Sequence, residues 1–323
     1  MYRSSHRAGC WIMAVGALML AAPAIAQAQS AKPTVATTGA AKLAPTSATL
    51  LGRVTPNRAE TTYLFQYGTT PLYGATTPVV NAGNGTSAVP VIADVAGLAP
   101  ATTYHFRLVA HNRNGTVNGA NRVFKTRAEP LGLVLTATPN PVAFGRPTVL
   151  AGTLSGTRNA NRQVVLQSNP FPYTQGFVAT TNVQLTNATG QFAFPLLSVP
   201  VNTQYKVVIP DRQEVASPIV SVGVAVRVGT RTSATRVRTG RAVRFFGTVT
   251  PARPGGQFAI QLLRKGAWRT VAGGIVRGSS GGVSRYAKRI RIRRGGQYRV
   301  FVASADGIFV ASPGRTVRIS RIF

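Results

Sequence analysis

The sequence predicts an all-β chain, three tandem β-sandwiches behind an N-terminal signal peptide. Three observations carry this. First, short runs of alternating apolar and polar residues recur along the chain, among them "TTYLFQYG", "TYHFRLVAH", "RQVVLQS", "YKVVIP", "FAIQLL" and "QYRVFVA", in a sequence broken by Gly, Pro, Asn and Thr. Alternation of period two is the mark of a strand buried on one face. Second, beyond the first 30 residues no stretch keeps apolar residues at helical spacing for three turns. Third, "LGRVTPN" (51–57), "AGTLSGT" (151–157) and "FGTVTPA" (246–252) repeat one another, with Gly52, Gly152 and Gly247 spaced 100 and 95 residues apart. A period near 100 residues is a whole sandwich rather than a solenoid unit.

The first element, residues 1–29, reads as a signal peptide. Arg3 and Arg7 precede an apolar run from about Cys10 to Ala24, and the small-x-small triplets Ala24-Ile25-Ala26 and Ala26-Gln27-Ala28 follow it. The run is shorter than the ~20 apolar residues of a membrane span, so cleavage is expected rather than anchoring. No second long apolar run follows, and no transmembrane segment is expected in the mature chain. The only cysteine, Cys10, leaves with the signal, so each sandwich must hold together on its apolar core without disulfides. The expected location is secreted or surface-associated.

Residues 30–128 form the second element. Leu50, Val54, Tyr63, Phe65, Tyr67, Tyr104, Phe106, Leu108 and Phe124 share inward parity and should fill its core. Three stretches, "SATLLGRVTPN", "TTYLFQYGTT" and "GLAPATTYHFRLVAHNRNGTVNGANRVFKT", carry a resemblance over about 33–127 to bacterial fibronectin type III domains. The motif is Leu98, Pro100, Thr102, Tyr104, then Asn112, Gly115, Gly119, Phe124 and Thr126. The resemblance implies a seven-stranded sandwich in which Tyr104 is the corner tyrosine, its hydroxyl turned back to backbone just upstream. It implies no single activity. The early-strand Trp of the animal form is absent, with Leu51 or Gly52 near its place.

Residues 129–226 and 227–323 follow as two further sandwiches, which resemble bacterial immunoglobulin-like domains only in general terms. "RQVVLQ" matches "QFAIQL", "QYKVVI" matches "QYRVFV", and "ASP" recurs at 216–218 and 311–313. The expected cores are Val164, Leu166, Phe192, Phe194, Tyr205 and Val207, then Phe246, Val249, Phe258, Ile260, Leu262, Ile290, Ile292, Tyr298 and Val300.

Catalytic and metal chemistry find little foothold. His105 and His111 share the outward parity of one strand, but six residues at ~3.3 Å each put them ~20 Å apart, too far for one ion. No acidic cluster offers the oxygens a calcium site needs. Asp211 and Glu214 lie close together in "IPDRQEVASP", which reads as a hairpin tip. "GGIVRGSSGG" (273–282) lacks the Lys of a phosphate loop and reads as a hairpin connection. No catalytic residue, metal ligand or cofactor is expected. "FPYTQGF" (171–177) offers Phe171, Tyr173 and Phe177 as a carbohydrate-stacking loop, against the plainer reading of a loop folded over one end of the core.

Charge carries the functional expectation. The chain has 37 Lys and Arg against 6 Asp and Glu, and residues 225–323 hold 21 of the 37 and one of the 6. In "KRIRIRR" (288–294), Ile290 and Ile292 should point inward and Arg289, Arg291 and Arg293 outward at steps of ~6.6 Å. Arg236, Arg238, Arg244 and Arg318 are candidates to extend this stripe. Guanidinium forks grip phosphate and carboxylate at two points, and a strip of like charge with no carboxylate to balance it attracts polyanions. The expected role is structural or adhesive and not enzymatic, with the third sandwich bound to anionic envelope polymers or polysaccharides. Nucleic acid is not expected as the physiological partner. The alternatives are a carbohydrate-binding accessory protein using the aromatic loop and an unrecognised secreted hydrolase.

Overall fold

The computed structural model describes residues 29–278, 281–304 and 306–322. The signal-peptide reading lies outside them, apart from residue 29. Among the described residues every regular element is a strand, and no helix is long and apolar enough to cross a membrane. The architecture is all-β, built of small facing sheets. Two compact units divide at Thr126 and Arg127.

In the first unit, Thr34–Ala41, Ser47–Thr55 and Val89–Ala96 make one sheet. The other is built on the pair Thr61–Gly68 and Thr103–Asn112, with Gly115–Asn118 and Arg122–Lys125 paired to the latter. The two inner faces meet over Leu50, Val54, Phe65, Phe106 and Leu108, all fully buried or nearly so. Tyr67, expected in this core, is only half-buried and packs at its margin. The Tyr104 hydroxyl accepts a hydrogen bond from the Ala99 N–H at 2.9 Å, the corner contact that the resemblance implied.

The second unit holds the other two repeats over one continuous buried cluster. Gly132–Thr138, Thr148–Ser155 and Gln191–Leu196 form one sheet; Gln163–Pro170 and Thr203–Ile209 are the central pair of the facing one. In the last repeat, Ala242–Thr250 pairs with Ser284–Arg291, Arg227–Val228 and Arg231–Thr232. The facing sheet runs in the order Arg236–Arg238, Val317–Ile322, Gly296–Val302, Gln257–Arg264, Ala267–Ile275.

Two devices recur in all three repeats and explain the periodic sequence. The repeated glycine sits on the long strand that follows the opening segment of each repeat, where that segment crosses closely. A Cβ at Gly52 would lie 2.6 Å from Leu108 Cδ2 and 3.1 Å from the Ala36 carbonyl oxygen. At Gly152 it would strike the Val134 carbonyl and the Phe192 ring, and at Gly247 the Gly229 carbonyl and the Tyr286 hydroxyl. The second device lies on the outer face. A glutamine stands opposite a cation across the central strand pair, as Gln66–Arg107, Gln167–Lys206 and Gln261–Arg299. Each cation lies over an aromatic ring: Arg107 over Tyr73 at 4.8 Å, Lys206 over Phe177 at 4.6 Å and Arg299 over Trp268 at 4.2 Å. Cation–π contact holds a long side chain flat on an exposed sheet.

One core expectation fails in the last repeat. Phe245 is fully buried, while Phe246 points outward with Arg244 stacked 5.3 Å from its ring. The pairing of Ala242–Thr250 with Ser284–Arg291 runs without a bulge, so Val243, Phe245, Gly247 and Val249 share one face. Phe246 and Val249 have opposite parity and cannot both face in. Ile290, also expected in the core, is half-buried at its edge.

Candidate cationic cleft

The last repeat is open along part of one side: an Arg277–Arg285 bridge closes one end, and beyond it the edge strands Ala267–Ile275 and Ser284–Arg291 are not hydrogen-bonded to each other. A cleft of about 730 Å³ lies there. One wall is the hairpin between Gln257–Arg264 and Ala267–Ile275. Lys265 and Gly266 form its two-residue turn with φ of 46° and 76°. Positive φ at both positions is what the favoured two-residue turn requires. The tight turn places Arg264, Lys265 and Arg269 along this wall. The other wall is the end of Ser284–Arg291 and the turn after it, carrying Lys288, Arg289, Arg291, Arg293 and Arg294. The floor between them is apolar, built from Leu262, Val271, Ala272, Ile290 and Tyr298. The Tyr298 hydroxyl donates to the Arg294 carbonyl at 2.7 Å and ties the second wall to the floor. Burial pushes the Tyr298 phenol up, and nearby Arg264 partly offsets this.

The register shows how unusual these positions are. Arg264 and Arg269 share the inward parity of Leu262, and Lys288 interrupts the inward run Ser284, Tyr286, Ile292. Where the facing sheet covers those positions they are uncharged; at the open side they are cations. On the outer face, Arg244 and Arg289 stand directly opposite each other across the ladder. Like charges so placed repel. Among the described residues the ion pairs are Arg162–Asp211 and Arg253–Asp306, and neither involves a residue of the cleft. The site is therefore a concentrated positive field with an apolar floor, suited to an anion that brings several negative groups at once.

The candidates read from the sequence divide in three. Arg289, Arg291 and Arg293 are exposed and line the cleft together. Arg244 lies beside Arg289, on the outer face. Arg236, Arg238 and Arg318 do not extend the stripe. They lie on Arg236–Arg238 and Val317–Ile322, which pair in parallel within the opposite sheet. Alternation shows that these residues point outward but not to which sheet they belong. Sequence reading missed five cleft cations: Arg264, Lys265, Arg269, Lys288 and Arg294. The Lys-Gly step in "LLRKGAWRT" was the available signal for the hairpin, and the hairpin brings three of them. It also missed Arg227, Arg231 and Arg285, exposed on the same outer face as Arg244 and Arg289.

Phe171, Tyr173 and Phe177 do not present one stacking face. Phe171 packs edge-on to Tyr173 at 5.5 Å and lies against Gly307, where a Cβ would come within 2.7 Å of its ring. Asn202 fastens the same place, donating through Nδ2 to the Gly307 carbonyl at 2.7 Å. Phe177 is occupied by Lys206. The geometry thus gives these rings packing work inside the second unit. His105 and His111 each have a polar neighbour of their own, Asn121 and Thr116. Asp211 lies in the turn between Thr203–Ile209 and Arg212–Ala216 and pairs with Arg162 at 3.1 Å.

No family model and no curated protein matches the chain. Solved structures similar to it include three multi-domain chains. A run of domains from titin overlaps with a TM-score of 0.36 at 14% identity, covering 91% of this chain and 100% of that one. The FN1–FN3 domains of chicken CNTN1 give 0.28 at 16%, covering 91% and 99%. A tetra-tandem repeat in the extending region of a large adhesion protein gives 0.27 at 15%, covering 90% and 74%.

Proposed function

We propose that the protein works outside the cytoplasm as a structural or adhesive chain, by binding rather than catalysis, and that the cleft of its last repeat holds anionic envelope polymers. The observation that carries this is the cleft itself: eight cations around about 730 Å³, none in an ion pair among the described residues. Such a field is costly to assemble and is relieved by a polyanion, whose condensed counterions are released as its charges are neutralised. The signal-like start of the sequence supports export, and N-terminal sequencing of secreted material should find a mature chain beginning between Gln27 and Ser30. A start at Met1 contradicts export by cleavage.

The test of the binding role is titration of the full chain with poly(glycerol phosphate) or heparin at several salt concentrations. Affinity should fall linearly on a log–log plot. Replacing Arg289, Arg291 and Arg293 by Ser should weaken binding and flatten the slope by up to about three units, on the scale known for duplex DNA. An unchanged slope in a folded variant contradicts the proposal.

A further inference from the structure

The cleft combines two kinds of surface, and a purely hydrophilic polymer uses only one of them. Its rim is cationic, but its floor is Leu262, Val271, Ala272, Ile290 and the ring of Tyr298. The tyrosine has no free donor to offer an anion, because its O–H is spent on the Arg294 carbonyl. Val271 is 47% exposed at a bulge in the edge strand, where Ala272 pairs with Ile260 and Thr270 with Gln261. An apolar side chain presented to water between cations is matched by a ligand that carries negative groups on an apolar body.

Resting on the reading of this cleft as an anion site, we propose that it also seats a second kind of ligand, an anionic lipid with two phosphates. The phosphates sit among the rim cations and the first methylenes of the chains lie on the apolar floor. Charge complementarity selects the head group. Lys288 and Arg269 face each other's walls from inward parity, and Arg289, Arg291, Arg293 and Arg294 supply further forks at the mouth. A single phosphate engages the cations of one wall, whereas two phosphates on one head group engage both walls. The volume suits a head group with the start of its chains, within the range of small-ligand sites. The open side between two edge strands lets the remaining chain length run outward.

The experiment is isothermal titration of the full chain with two probes: a short-chain cardiolipin below its micelle concentration, and the bis(glycerophospho)glycerol left when its chains are removed. The lipid should bind about tenfold more tightly, the worth of roughly two buried methylenes. Val271→Ser, at an exposed position, should keep the fold and the head-group affinity while cutting the lipid's advantage about threefold or more. Arg289→Ser with Arg291→Ser should weaken both probes alike. Equal affinity for lipid and head group overturns the lipid seat and leaves the anion site standing, as does an advantage untouched by Val271→Ser. Binding of neither probe removes both readings.

Discussion

Gly152 and Gly247 each face an aromatic residue across the ladder, Phe192 and Tyr286. The ring covers the glycine, and the preceding segment's carbonyl comes in where a Cβ would stand. Gly152→Ala or Gly247→Ala should therefore destabilise the second unit by ~1–3 kcal/mol through overpacking against backbone that cannot yield. Gly39→Ala, where a Cβ meets nothing within 4 Å, should leave the first unit within ~0.5 kcal/mol of the parent. Denaturant melts of both units read this. In the first unit, Tyr104→Phe removes the acceptor of the Ala99 N–H and should cost ~1–3 kcal/mol, more than His105→Ala on the outer face. Equal losses would mean that the strand's parity is wrong. Tyr286 adds a pH dependence. Its hydroxyl donates to the Gly229 carbonyl at 2.8 Å, and burial raises its pKa to about 12. The folded state then keeps a proton that the unfolded state loses near pH 10, so this stability is full below pH 10 and lost as pH rises toward 12. The loss is about 2–3 kcal/mol, and alkaline melts of Tyr286→Phe should show a correspondingly flatter decline.

Edge strands set both the opening of the last repeat and the limits of what could be read in advance. Strands and inward parity were legible for most of the chain because alternation is local: Phe65, Phe106, Leu166, Phe194, Ile260 and Val300 are fully buried where their runs place them. Phe246 was misplaced because two adjacent phenylalanines leave parity open, and only the unbroken register with Ser284–Arg291 decides between them. The cleft was half legible for a related reason. The run 288–294 shows three outward arginines, but the cations across from them come from another hairpin, and which strands become open neighbours is a property of the sheet order. Arg269 and Lys288, inward-facing on edge strands, also bar another strand from pairing at the opening. Replacing both with Val should make the chain associate in a concentration-dependent way, read by light scattering, whereas the parent should not. A double variant that stays as dispersed as the parent removes this protective role.

On the scale of the whole molecule, the excess of positive charge is not spread evenly, and its position matters more than its size. The last repeat holds 21 of the 37 basic residues, yet they occupy distinct places: the cleft, the outer face beside Arg244, and the opposite sheet with Arg236, Arg238 and Arg318. The most direct test of the account uses this separation. Two triple variants remove the same charge, one at the cleft (Arg289, Arg291 and Arg293 to Ser) and one on the opposite sheet (Arg236, Arg238 and Arg318 to Ser). Both sets are exposed. Their affinities for one polyanion are then measured by titration at one salt concentration. The account predicts a loss of tenfold or more at the cleft and a change of less than about threefold on the opposite sheet. Equal losses in the two variants would contradict it, since binding would then follow net charge and not the site.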